Sequence, residues 1–218
     1  MTRTRLLAAA LTTLALLVAV PARAGDTDPA PFIAAQAEFS RGLAGDGGAN
    51  ERANAQFQKL VDADPANPLY LAYLGSSFAI MGREAWAPWT KLRLSEKGLG
   101  LLDKALALLT PDHDQRTVRG VPVSAEVRLN AATTFLAVPD FMHRTEPARL
   151  VVADALASPA FAITPGSIQA RLLIQAARLA QKDKKAAEET EALKKALIAW
   201  PEGPTAAPAR ARLKELGQ

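Results

Sequence analysis

The chain has 218 residues, no cysteine and a hydrophobic fraction of 49%, so disulfides and thiolate metal sites are excluded and stability rests on packing. Its formal charge is +4. Losing Arg3, Arg5 and Arg23 with an expected leader would take the basic count from 26 to 23 against 22 acidic residues, a net charge of about +1, which gives little global support to electrostatic attraction toward nucleic acid or an anionic membrane.

The leader is read from Arg3 and Arg5, an uncharged apolar run from Leu6 to Val20, and the small pair Ala22-x-Ala24. The run has 15 residues, short of the roughly 20 that a spanning helix requires. Cleavage after Ala24 and a periplasmic, unanchored product are expected, with 25–30 as a flexible lead-in and 31–218 as a single helical domain.

Ala and Leu dominate the rest and period-two alternation is not sustained, which predicts an all-α protein. A first helix is expected over 31–44, ended by "GDGG", where Gly45, Gly47 and Gly48 supply left-handed turns. Asn50 is expected to cap a second helix with Ala53, Phe57, Leu60 and Val61 on one stripe, stopped by "DADPANP". A third covers 68–82, with Leu71, Leu74 and Phe78 on one face beside Gly75. The pattern breaks near 83–97, in "REAWAPWTKLRLSEK", and resumes at Leu99, Leu102, Leu106 and Leu109 before Pro111.

"TPDHDQRTVRGVP" reads as a loop. Helices are then expected over 123–137, from a Thr145 cap to about Ala157, over 165–182 after Thr164-Pro165, over 184–199, and from a Thr205 cap to Gly217. Trp200, before Pro201, is expected to pack at a helix end.

Ala53-x-x-x-Phe57, then Pro65, then Leu71-x-x-Leu74-Gly75-x-x-Phe78 resembles the tetratricopeptide repeat, with Leu at the usual first aromatic and Phe for Tyr. Gly82 falls where that family turns between helices, and Leu173, Ala177, Leu193, Ala196 and Pro201 echo the pattern. The resemblance implies a solenoid of about 8–9 helices in hairpins, with an insertion near 83–97 lengthening one unit. It further implies binding of a protein or peptide segment on the concave face; with the expected export, this makes a non-enzymatic scaffold for an envelope protein, and no cofactor, metal or nucleic acid is expected.

Projecting that register puts Ala72, Ser76 and Ala79 in the groove, with Arg128, Arg171 and Arg178 from later helices, a basic lining suited to an acidic segment or chain terminus. Trp86 and Trp89 near Lys91 and Arg93 serve either as an aromatic platform for a partner or, the favoured expectation, as an anchor of the insertion. The opposing class is an envelope hydrolase or metal-dependent enzyme on a helical scaffold, resting on Asp112, His113, Asp114, Asp140 and His143 together with the tryptophans, which requires the Asp/His group to converge. A small-ligand pocket beside the tryptophans is the third alternative. Ser76 and Ser77 lie in no Gly-x-Ser-x-Gly elbow, and no phosphate-cradling Gly-rich loop precedes a lysine.

Overall fold

The computed structural model describes residues 29–218. The expected leader, its cleavage site and lead-in residues 25–28 lie outside the described residues. From Pro29 onward the chain is all-α, apart from one two-stranded hairpin.

The first three helices are α1 (Ala30–Leu43), α2 (Ala49–Ala63) and α3 (Pro68–Glu84). Phe32 and Phe39 of α1, Phe57 of α2 and Tyr70 and Tyr73 of α3 form one aromatic cluster with ring centroids 5.2–6.2 Å apart, tilted or edge-on as ring quadrupoles favour. Pro65 stands just past α2, whose last helical residue is Ala63, consistent with proline's missing donor. Asn67 caps α3 by accepting from the Leu69 and Tyr70 amides at 3.1 and 3.3 Å. Of the three turn glycines, Gly45 and Gly48 have positive φ and Gly47 does not.

Asn50 is not a cap. The N-cap of α2 is Gly48, and Asn50 is buried inside the helix with its Nδ2 donating to the Ser77 carbonyl at 3.2 Å. Gly82 is not in a turn either, since α3 continues to Glu84. A Cβ at Gly82 would meet Ser95 Oγ at 2.6 Å and the Lys91 carbonyl at 3.0 Å, so it serves close helix approach.

The expected insertion at 83–97 is absent. Only residues 85–87 separate α3 from α4 (Pro88–Ala107), a continuous helix with proline in its first turn. Gly75 meets Gly98 and Gly82 meets Lys91 and Ser95, so α3 and α4 run antiparallel along a glycine seam. The polar run broke the apolar pattern because this part of α4 is largely solvated.

The expected loop contains α5 (Asp112–Gln115) and the hairpin of β1 (Thr117–Val118) with β2 (Val121–Pro122), turned through Arg119 and Gly120 at positive φ. Then follow α6 (Val123–Phe135), a 3-10 turn (Asp140–Met142), α7 (Thr145–Ala157) and α8 (Pro159–Ile163). The chain ends with α9 (Gly166–Lys182), α10 (Ala186–Ala199) and α11 (Ala206–Glu215). Thr145 is the first residue of α7 rather than its cap, which is Arg144, and Thr205 is at the α11 cap position without a side-chain capping bond.

Among the described residues nine helices have ten residues or more. α1 packs with α2, α3 with α4, α6 with α7 and α9 with α10, while α6 lies at the centre against α3, α4, α7 and α9. Nearly all of α6 is buried, which is why its sequence shows no polar face. Trp200 closes α10 against Gly203 and packs on the cluster of Ala170, Leu173 and Ala196.

Candidate functional site

A cleft of about 590 Å³ opens between α3, α4 and α6, within the range of ligand-binding pockets. Its inner end is formed by Ser76, Ala79 and Ile80 of α3 with Thr133, Thr134 and Ala137 of α6. Phe39 and Leu43 of α1 close one side, and Val138, Phe141 and Met142 another. Pro88, Lys91, Leu92 and Ser95 bring the first turns of α4 to the mouth, and Arg171 reaches it from α9.

Polar groups in this wall are few. Ser76 and Thr134 hydroxyls share a hydrogen bond of 3.1 Å, and Asn130 Nδ2 is held by the Glu126 carbonyl at 2.9 Å. Thr133 Oγ1 is buried and meets no partner among the described residues, where one unmade bond costs free energy. Three cations, Arg83, Lys91 and Arg171, border the cleft, and no Asp or Glu of the described residues lines it. Arg83 is bonded to Glu84 at 3.3 Å and Lys91 Nζ to the Arg83 carbonyl at 3.2 Å. Arg171 is exposed and has no side-chain partner among the described residues.

Of the projected groove residues, Ser76, Ala79 and Arg171 come together here. Ala72 does not: it is fully buried in the core between α3 and its neighbours. Arg128 turns to Asp114 at 3.4 Å and Arg178 to Gln175 at 3.3 Å, so neither reaches the cleft. A projection of one repeat's register onto later helices presumes equal rotation between units, and the interposed α5, hairpin and α8 break that regularity.

Trp86 and Trp89 do not anchor anything. They are 91% and 72% exposed at the α3–α4 corner, because the three-residue connection leaves no segment beneath them to pack on. Arg93 is exposed one turn beyond Trp89 on the same face of α4.

The Asp/His group disperses into structural roles. His113 Nδ1 bonds the Thr110 amide and hydroxyl at 3.0 and 2.9 Å. Asp114 accepts from Ser158 at 3.0 Å and pairs with Arg128. Asp140 pairs with Lys182 at 2.6 Å, and His143 is exposed at the end of the 3-10 turn. Among the described residues no three His, Cys, Asp or Glu side chains are placed to hold a metal.

The sequence reading missed Glu126. This carboxylate is buried, and its Oε1 accepts from Tyr73 at 2.5 Å, Gln36 at 2.9 Å and Arg119 at 3.0 Å. Gln36 also bonds the Tyr73 hydroxyl. Burial, and then the charge of Glu126, push the Tyr73 hydroxyl well above its ordinary value. The network joins α1, α3, α6 and the hairpin.

Among the described residues the protein is all-α, with successive helices packed in pairs and an apolar cleft between α3, α4 and α6. Comparison with protein-family models, curated proteins and solved structures finds no match to the chain.

Proposed function

We propose that this chain is a non-enzymatic binding protein of the cell envelope, a tetratricopeptide-like stack whose cleft takes an apolar segment of another protein that carries a negative charge. The observation behind this reading is the pairing of apolar walls with Arg83, Lys91 and Arg171 at the border, of which Arg171 meets no carboxylate among the described residues, while no Asp or Glu of the described residues lines the cleft. An apolar residue entering the cleft loses its hydration favourably. A chain-terminal carboxylate or acidic side chain at the mouth would meet the free guanidinium of Arg171, which is suited to a two-pronged bond.

Fluorescence polarisation with short apolar peptides tests this. A peptide ending in a free carboxylate binds more tightly than its amide, and Arg171→Ala removes most of that difference. Equal binding of acid and amide, or equal binding by the variant, refutes the assigned charge role. The cleft volume, typical of small-ligand pockets, favours as a second reading a single-chain amphiphile with an anionic head. Displacement of the peptide by a long-chain carboxylate, with no peptide bound in its presence, supports that reading.

A further inference from the structure

The α3–α4 corner carries a surface that the cleft does not use. Trp86 is at its apex and Trp89 in the first turn of α4, both largely in water. From Trp89 the exposed stripe continues at helical spacing through Leu92 and Arg93. Leu92, 44% exposed, also borders the cleft, and across the mouth Phe141 is 67% exposed.

The charges around these rings are unequal. Residues 83–97 hold four cations, Arg83, Lys91, Arg93 and Lys97, and two acids, Glu84 and Glu96. Glu84 is already bonded to Arg83, whereas Arg93 meets no carboxylate among the described residues. Long basic side chains beside protruding indoles match the layered chemistry of a bilayer surface: the rings enter the headgroup boundary while the cations extend to lipid phosphates. A protein hot spot is instead set in a packed ring that excludes water, and Trp86 has almost no protein around it.

We infer that the α3–α4 corner is a peripheral docking site for an anionic lipid bilayer, with Trp86 and Trp89 inserted at the headgroup level and Arg93 facing lipid phosphates. The attraction is local, so it needs no large net charge. No helix of the described residues is long and apolar enough to cross a membrane, which suits docking at the surface. The docked corner would leave the cleft mouth beside the bilayer.

Vesicle sedimentation and tryptophan emission test the site, since Trp86 and Trp89 are two of the three tryptophans. The purified chain is mixed with phosphatidylglycerol/phosphatidylcholine vesicles and with phosphatidylcholine alone. Expected are partition onto the anionic vesicles, weakening with salt, and a blue shift of emission. Trp86→Ala/Trp89→Ala lowers partition by about tenfold or more, and Arg93→Ala by about fivefold on anionic vesicles only. Both sites are exposed, so circular dichroism stays unchanged. Absence of partition overturns the inference, as does partition unaltered by the double substitution. Concentration-dependent dimerisation lost in that variant, without vesicle binding, overturns it in favour of a self-interface. Peptide binding in the cleft is read separately through Arg171, so failure of one proposal is distinguishable from failure of the other.

Discussion

Gly75 and Gly98 face each other across the α3–α4 seam so closely that a Cβ on either would collide with the other's backbone. A Cβ on Gly75 would lie 2.7 Å from the Gly98 carbonyl oxygen, and one on Gly98 2.5 Å from the Gly75 carbonyl oxygen. Backbone atoms cannot rotate away, so a methyl group here must part the helices.

Gly75→Ala and Gly98→Ala are each expected to destabilise the protein by about 2 kcal/mol, lowering the melting temperature by roughly 4–8 °C. Gly100 is in the same helix with nothing near its missing Cβ. Gly100→Ala should therefore stabilise by about 0.5–1 kcal/mol through helix propensity. Calorimetry of the three variants decides the matter, and equal effects would refute the seam.

The Glu126 network yields an ordering. Glu126→Ala leaves the Tyr73 hydroxyl and the Gln36 amide without their buried acceptor and should cost about 2–3 kcal/mol. Arg119 is a third exposed, and its guanidinium is already partly hydrated, so Arg119→Ala should cost less. Urea midpoints in the reverse order would show that the ion pair, rather than the buried hydrogen bonds, carries the network.

Asp114 links stability to acid. Desolvation acts to raise its pKa, but the nearby Ser124 hydroxyl, the hydrogen bond from Ser158 and the Arg128 guanidinium outweigh this and hold it below the ordinary carboxylate range. A folded value below the unfolded one stabilises the protein above the unfolded value, and that contribution is lost as pH falls through the folded one. Asp114→Asn should thus lower stability near neutrality and flatten its decline below about pH 5. Chemical denaturation across that window reads the slope, and an unchanged slope would remove Asp114 from the acid response.

Thr133→Val tests the cleft wall. Its hydroxyl is buried without a partner among the described residues, so replacing it by an isosteric methyl should leave stability unchanged or raise it by up to about 1 kcal/mol. If the hydroxyl serves the bound segment, the same variant binds the carboxylate peptide more weakly. A loss of stability without ligand would mean that the hydroxyl is already satisfied in the folded protein.

Much of the helical register was legible in the order of residues alone. Apolar positions such as Leu71, Leu74 and Phe78 recur at the pitch of a helix, and proline and glycine interrupt it through local sterics. Gly75 was legible for the same reason. The stretch 83–97 was not, because Trp86, Trp89 and Leu92 are apolar yet exposed, and periodicity presumes that apolar residues face inward.

The site divided along similar lines. Ser76 and Ala79 share a helix face, so their neighbourhood follows from local geometry, whereas Arg171 joins them only because α9 packs on α6. Glu126 gave no warning, since an acid in a first helical turn is commonplace and 53 residues separate it from Tyr73. Short-range backbone and side-chain preferences set which segments coil and where they stop. Which side chains meet across α1, α3 and α6, and which are left in water, depends on rotations between helices that no neighbouring residue encodes.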